Sequence, residues 1–249
     1  MFFTIIWGLS FGIGMILTIP FLLGLFAVRW IAGENTAAAY AHAVTGFWGR
    51  AVVLTTGAKV RIQGRDNLTK ERNVCFVANH QSLFDVPLLL GWLDRPFGFI
   101  AKRELKKIPI LSGWISALHS AFIDRSQARS ALESFQKSIA VLRRGNALVL
   151  FPEGTRKPEE TAGGFKAGSL RLPLQAGSVI QPITIKGTRQ IYERQKLIKS
   201  GVSITMIIHP PITPDSSLYH DKVSLVTELE RIILNKSGDA DGLGTKEPA

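Results

Sequence analysis

The chain is organised around the stretch V-C-F-V-A-N-H-Q-S-L-F-D, Val74 to Asp85. Its first five residues are apolar and rich in β-branched and aromatic side chains, which predicts a buried strand. Polar residues follow, and a helical pattern begins near Ser82. His80 therefore lies at the carboxyl end of a strand, where α/β proteins usually bind ligands and carry out their chemistry.

The spacing of His80 and Asp85 restricts how the two side chains can meet. On a continuous helix, five residues correspond to about 500° of rotation, which places them on nearly opposite faces. They can meet only if His80 stays in the turn and Asp85 lies in the first turn of the helix. That arrangement suits a histidine base oriented by a carboxylate. Ser82 and Asp85 also match a capping box, which would explain Asp85 without any chemistry.

Strands and helices alternate through most of the chain, which predicts an α/β class. We expect a mixed, largely parallel sheet flanked by helices, with a membrane-embedded helical segment at the amino terminus. The predicted strands are 59–62, 74–78, 97–101, 121–123, 147–151, 179–185 and 202–208, and the predicted helices are 83–93, 108–118, 126–144 and 218–234.

The chain divides into three predicted parts. Residues 1–55 are expected to form membrane-embedded or interfacial helices, and residues 56–235 the α/β domain. Residues 236–249 are small, polar and contain glycine, which is typical of a disordered tail.

Residues 1–28 contain no charged side chain. As one helix they would be about 42 Å long, enough to cross a hydrocarbon core of about 30 Å. A cleaved signal peptide is disfavoured because no basic region precedes the apolar run. Pro20 can kink such a helix, so a kinked transmembrane helix and a helix that enters one leaflet and turns both remain open. A second amphipathic helix is predicted over 37–54, either at the bilayer interface or docked on the domain.

Charge and cysteine content restrict the partners and the compartment. The formal net charge of +11 leaves an anionic membrane, a phosphorylated substrate and a nucleic acid open as partners. The chain has no long Lys/Arg run, so a basic tail that binds nucleic acid is not indicated. Arginine and lysine residues follow the apolar run, which predicts that the domain lies on the cytoplasmic face. The single cysteine, Cys75, excludes an intramolecular disulfide framework and is expected to be a small buried hydrophobe.

Two further polar clusters follow predicted strands. F-P-E-G-T-R, residues 151–156, places a carboxylate, a glycine and a guanidinium after one of them. Arginine's planar fork suits a phosphate, and Gly154 permits a tight turn and close approach of a ligand. A-K-R-E-L-K-K-I-P, residues 101–109, adds basic side chains after another strand. A surface turn and a solvated basic face are the alternatives for these two clusters.

Taken together, the clusters resemble the glycerolipid acyltransferase family, most closely the 1-acyl-sn-glycerol-3-phosphate acyltransferases. The resemblance covers roughly residues 60 to 210. The residues that carry it are His80 and Asp85 in the first motif, Lys102, Pro109, Asp124 and Arg125 in the second, Glu153, Gly154 and Arg156 in the third, continued by F-K-A-G at 165–168, and Pro182 in the fourth. One departure is Gln181, which stands where the family usually has an apolar residue.

The resemblance implies transfer of an acyl group from acyl-CoA or acyl carrier protein to the sn-2 hydroxyl of lysophosphatidate. His80, oriented by Asp85, would take the hydroxyl proton, so no acyl-enzyme would form. Lys102 and nearby backbone amides would stabilise the oxyanion, and Lys102 and Arg156 would hold the phosphate. Glu153 would bind glycerol or shape its loop. The implied catalytic residues are His80 and Asp85, and the implied substrate-binding residues are Lys102, Arg125, Glu153, Gly154, Thr155 and Arg156.

A metal is not suggested, because His119, His209 and His220 show no ligand spacing. No cofactor is expected besides the acyl thioester, which is a substrate. The expected partners are lysophosphatidate, the acyl thioester and an anionic membrane surface, with acyl carrier protein as one of two donor types. Within the family, acylation of glycerol 3-phosphate or of another lysophospholipid remains open. From other classes, the alternatives are a membrane lipid hydrolase and a non-catalytic basic module that binds anionic lipid or nucleic acid.

Overall fold

A computed structural model describes residues 1–124, 127–154, 156, 164–166 and 168–234 of the chain. The strands are β1 Lys59–Gln63, β2 Val74–Ala78, β3 Gly98–Lys102, β4 Ala121–Ile123, β5 Ala147–Leu150, β6 Val179–Lys186 and β7 Ser203–Ile208. The α-helices are α1 Phe2–Leu17, α2 Ile19–Leu54, α3 Asp85–Trp92, α4 Pro109–Ala117, α5 Ala128–Arg143, α6 Arg171–Ala176, α7 Ser217–His220 and α8 Lys222–Leu234.

The seven strands form one sheet in the order β1-β7-β6-β2-β5-β3-β4. Strands β6, β2, β5, β3 and β4 are parallel, whereas β7 is antiparallel to β6 and parallel to β1. The predicted α/β class and mixed, largely parallel sheet are therefore confirmed. The carboxyl ends of the five parallel strands lie at one edge, which brings the loops that follow them together.

Strand β2 lies in the centre of this sheet, and all five of its residues are fully buried. Val74, Phe76 and Ala78 pack into a core with residues of α2 and α3, while Cys75 and Val77 pack into a second core with residues of α5 and α8. Such burial on both faces is typical of a central parallel strand. Burial raises the pKa of the Cys75 thiol, so this cysteine is a core side chain and not a nucleophile.

Several predicted boundaries differ from the observed ones. The predicted helix 218–234 is two helices, α7 and α8, because the Asp221 carboxylate accepts hydrogen bonds from the Val223 and Ser224 amides and starts α8. Helix α6 was not predicted, since six residues are too few for a helical period. The predicted tail, 236–249, lies outside the described residues.

The amino-terminal helices form a hairpin. Helix α2 has a non-helical residue, Gly33, with φ of 80°, and the chain reverses there. Trp7 Nε1 donates to Thr55 Oγ1 at 3.2 Å, and the Phe11 and Trp48 rings are 5.1 Å apart. The amino terminus of α1 therefore lies beside the carboxyl end of α2, next to the α/β domain.

The outer face of this hairpin is strongly apolar. Among the described residues, 2–54 is the one helical stretch that is long and apolar enough to cross a membrane by length and composition. Its exposed large side chains include Ile5, Leu9, Ile13, Leu17, Phe21, Leu23, Phe26, Trp30 and Ile31. An apolar surface of this kind is typical of proteins that associate with membranes. The cytoplasmic orientation and the division at residue 55 stay predictions.

Candidate active site

Three loops meet at the carboxyl edge of the sheet. Strand β2 lies between β5 and β6, parallel to both. The turn after β2 carries His80, the loop after β5 carries Arg156, and the segment after β6 carries Glu193. Because these three strands are neighbours, residues more than 100 positions apart in sequence come into contact.

His80 and Asp85 form a close pair. His80 Nδ1 lies 2.8 Å from Asp85 Oδ2, with His80 in the turn and Asp85 at the first position of α3. The His80 side chain is 19% exposed and that of Asp85 is fully buried. The Phe151 ring stacks on the imidazole with centroids 4.1 Å apart. The ring is thus held on one edge by a carboxylate and on one face by an aromatic side chain, while part of it reaches solvent.

Asp85 also holds the turn that precedes its helix. Its Oδ2 atom accepts hydrogen bonds from the amides of Gln81 at 2.7 Å and Ser82 at 2.8 Å. Its Oδ1 atom accepts from Thr188 Oγ1 at 2.6 Å. The Ser82 contact is the one that a capping box predicts, but both amides lie before α3, which begins at Asp85 without a side-chain cap. One carboxylate has enough lone pairs for these contacts and for His80.

Every backbone amide of the turn from residue 80 to 83 donates to a carboxylate. The His80 amide donates to Glu153 Oε1 at 3.0 Å, and the Leu83 amide to Glu193 Oε1 at 2.6 Å. Asp85 accepts the two amides between them. These four amides each have an anionic acceptor, so a backbone donor to an oxyanion would have to come from another amide. The expectation that backbone amides stabilise an oxyanion stays a prediction.

The third cluster folds as a tight turn after β5. Gly154 has φ of 76°, a conformation that side chains disfavour, and its amide donates to the Phe151 carbonyl at 3.0 Å. Glu153 is buried and accepts a hydrogen bond from the His80 amide. Of its two predicted roles, binding glycerol and shaping the loop, this contact fits the second. The Arg156 side chain is 41% exposed, and its Nη1 lies 3.7 Å from Glu193 Oε1. Thr155 lies outside the described residues.

The second cluster lies at the same edge, two strands from β2. Lys102 is the exposed last residue of β3. Arg103 donates to Asp124 at 2.6 Å, so part of this basic charge is paired within the protein. Arg125 lies outside the described residues. Within the described ranges, no group of three or more His, Cys, Asp or Glu side chains is placed to hold a metal ion.

An apolar cavity of about 500 Å³ adjoins the segment that follows His80. Its walls come from helices α1 to α4 and from the segment after β6, and they include Leu83 and Phe84 of the turn itself. Trp7 and Phe11 line it from α1, and Tyr192 lines it from the β6–β7 segment. The hairpin therefore supplies much of the wall of a cavity that reaches Leu83 and Phe84, close in sequence to His80.

Thr188 and Glu193 were not predicted from the sequence. Both follow β6, more than 100 residues from the turn that they contact. The one sequence signal near them is the fourth motif on β6, which ends just before this segment. Their polar side chains gave no pattern of their own, because the contacts depend on β6 lying next to β2.

Gln181, the departure from the fourth motif, is fully buried on β6. Its Oε1 accepts from the Thr69 amide at 2.8 Å, and its Nε2 donates to the His209 carbonyl. Both polar ends of the amide are satisfied by backbone groups, as a buried amide requires. The polar residue therefore joins two connecting segments to the central sheet.

The family of this chain is given by comparison with known sequence profiles. The sequence profile of the Acyltransferase family matches residues 59–186, just over half of the chain. The chain belongs to the acyltransferase family and is an enzyme of that class.

The particular relatives share one description. The chain is 29% identical over 180 residues to the 1-acyl-sn-glycerol-3-phosphate acyltransferase of Borreliella burgdorferi, and the alignment covers 72% of each chain. It is 36% identical over 163 residues to the Chlamydomonas reinhardtii protein of the same description. This alignment covers 64% of the present chain and 48% of the algal protein. The chain thus spans about half the length of the algal relative.

A solved structure matches nearly the whole fold. The crystal structure of the 1-acyl-sn-glycerophosphate (LPA) acyltransferase PlsC from Thermotoga maritima superposes with a TM-score of 0.79. The two chains are 28% identical, and the match covers 94% of each. The amino-terminal hairpin therefore falls largely within the shared architecture.

Proposed function

We propose that this protein transfers a fatty acyl group from an acyl thioester to the sn-2 hydroxyl of 1-acyl-sn-glycerol 3-phosphate, giving phosphatidic acid. The observation that carries the proposal is the His80–Asp85 pair, 2.8 Å apart, in a segment whose Leu83 and Phe84 line an apolar cavity. Membership of the acyltransferase family and the shared description of the relatives support the reaction and the acceptor.

His80 serves as the general base in this proposal. Its Nδ1 faces Asp85, so Nε2 is left to take the proton of the sn-2 hydroxyl. The hydroxyl oxygen attacks the thioester carbonyl, and the tetrahedral intermediate expels the thiolate, which takes the proton back from the imidazolium. Asp85 stabilises the imidazolium between these steps, and Phe151 keeps the ring plane fixed. No protein nucleophile takes part.

The acyl chain occupies the apolar cavity in this proposal. The cavity is lined almost entirely by apolar side chains, and Trp7 and Phe11 belong to the hairpin with the exposed apolar face. A fatty acyl chain that moves from the bilayer into this cavity would stay in an apolar environment as far as Phe84, next to Asp85 in sequence. The thioester would then lie between the Leu83 and Phe84 wall of the cavity and the His80 ring.

The acceptor phosphate is held by Arg156 and Lys102. Both side chains are exposed at the carboxyl edge of the sheet. A guanidinium can donate two parallel hydrogen bonds to a phosphate, and the ammonium adds a second positive charge. Lys102 is also the candidate for stabilising the oxyanion, because the amides of the catalytic turn already have acceptors.

The hairpin embeds in one leaflet in this proposal, with the α/β domain on the cytoplasmic face. The contact between Trp7 and Thr55 brings both ends of the hairpin to the domain side, which suits entry and return on one face. The net charge of +11 favours an anionic membrane surface. The donor is either acyl-CoA or acyl carrier protein, and the assay below separates the two.

The test is an acyl-transfer assay with the purified full-length protein. We expect lysophosphatidate to be acylated faster than glycerol 3-phosphate or other lysophospholipids, with acyl-CoA and acyl carrier protein compared as donors. His80→Ala should lower kcat by about 10²- to 10⁴-fold, the usual contribution of a general base. His220→Ala, at an exposed position on α7, is the matched control and should leave kcat unchanged.

Two outcomes would contradict the proposal. Release of free fatty acid without an acceptor would indicate a lipid hydrolase, and salt-sensitive lipid binding without turnover would indicate a non-catalytic module. Arg156→Ala tests the phosphate site separately. It should raise the KM for lysophosphatidate while leaving the KM for the acyl donor nearly unchanged.

A further inference from the structure

The turn that carries His80 is held by carboxylates from three different strand ends. Asp85 belongs to the segment after β2, Glu153 to the loop after β5, and Glu193 to the segment after β6. The first two lie in the motifs that the family resemblance identifies. Glu193 lies outside all four motifs, yet it makes contacts with the turn that are as short as those of the other two.

Glu193 binds the second half of the turn, directly before α3. Its Oε1 accepts from the Leu83 amide and its Oε2 accepts from Ser82 Oγ, each at 2.6 Å. Ser82 Oγ in turn accepts from the Phe84 amide at 3.1 Å. The Glu193 side chain is only 8% exposed. One buried carboxylate therefore fixes three consecutive residues, and Asp85 is the next residue in the chain.

We propose that Glu193 is a positioning residue for the catalytic turn, and that it sets the place of the His80–Asp85 pair. The proposal rests on the proposed acyl-transfer function only in taking His80 as the base. Hydrogen bonds to a carboxylate are roughly twice as strong as neutral ones, so their loss would loosen residues 82–84. A displacement of about 1 Å in a catalytic group can cost about 100-fold in rate.

Glu193 also lies 3.7 Å from Arg156 Nη1, which offers a second route by which it could affect activity. The two routes differ in their kinetics. An effect through the turn lowers kcat, whereas an effect through the arginine changes the KM of a phosphorylated acceptor. The turn contacts are much shorter than the arginine contact, so the kcat effect should dominate.

The test compares Glu193→Ala with Glu193→Gln in the full-length protein. We expect Glu193→Ala to lower kcat by about 10- to 100-fold. Glu193→Gln should restore kcat to within about threefold of wild type, because its carbonyl can accept from the Leu83 amide and its NH₂ can donate to Ser82 Oγ. Glu133→Ala is the matched control, since Glu133 also pairs with an arginine, Arg129, but on an exposed helix face.

The Arg156→Ala background separates the two routes. Glu193→Ala should lower kcat there by a similar factor, and the proposal is overturned if the effect disappears. The proposal is also overturned if Glu193→Gln does not restore kcat. A third contradicting result is that Glu193→Ala lowers the melting temperature and the folded fraction but leaves kcat per folded molecule unchanged. The comparison uses whichever acceptor the wild-type protein acylates, so failure of lysophosphatidate as acceptor would contradict the proposed function and leave this test intact.

Discussion

Replacing Asp85 by asparagine or by alanine should have two separable effects, because this carboxylate both pairs with His80 and accepts the Gln81 and Ser82 amides of the turn before α3. Asparagine has nearly the same shape. Its carbonyl oxygen can accept from the Gln81 and Ser82 amides, and its NH₂ group can donate to Thr188 Oγ1. We therefore expect the Asp85→Asn protein to fold, at a cost of about 1–3 kcal/mol for hydrogen bonds that lose their charge.

Alanine removes the acceptor altogether. Two amides and one hydroxyl would be left without a partner in a buried place, at about 1–3 kcal/mol each. The sum of about 3–9 kcal/mol is comparable with the roughly 5–15 kcal/mol by which a folded protein is stable. Asp85→Ala should therefore be much less stable than Asp85→Asn, and only the asparagine variant reports on chemistry.

The assay is a pair of measurements, the melting temperature in detergent and kcat for acyl transfer. Asp85→Asn should lower kcat by about 10²- to 10⁴-fold, since the imidazolium loses its counter-charge although the carbonyl can still accept from His80 Nδ1. Asp215→Asn, at an exposed position, should change neither quantity. A kcat for Asp85→Asn within threefold of wild type would refute the role of the Asp85 charge. Equal stability of the asparagine and alanine variants would refute the role of Asp85 as acceptor for the turn.

Three further predictions concern residues around the site. Thr188→Val removes the donor to Asp85 Oδ1 and should lower kcat by about tenfold, which corresponds to about 1.4 kcal/mol in activation free energy. Thr188→Ser keeps the hydroxyl and should have a kcat near that of wild type. Gly154→Ala should lower the melting temperature, because a φ of 76° costs an L-residue about 1–2 kcal/mol, and Gly168→Ala is its control. Gln181→Leu leaves the Thr69 amide and the His209 carbonyl unpaired and should destabilise the fold while kcat at low temperature is kept.

The elements of the α/β domain were largely predictable, because their signals are local. The apolar run of β2 and its polar turn lie within 12 neighbouring residues, and strand 121–123 was predicted with the bounds that β4 has. The reversed direction of β7 was not predictable, since strand direction depends on the connection and on packing. The hairpin was not predicted either. An apolar segment indicates contact with lipid, but the reversal of the chain depends on Gly33 and on contacts such as that of Trp7 with Thr55.

Short segments were enough to predict the α/β class, the strand ends at which the polar clusters lie, and the spacing that allows His80 and Asp85 to meet. In these segments the periodicity of apolar side chains and the choice of polar residues carry the signal. Three features came only from the folded chain: Glu153 and Glu193 accept the amides at either end of the turn that carries His80, Thr188 donates to Asp85, and the hairpin lines the cavity. These contacts join residues 73 to 110 positions apart, and they form because β5 and β6 pack on either side of β2.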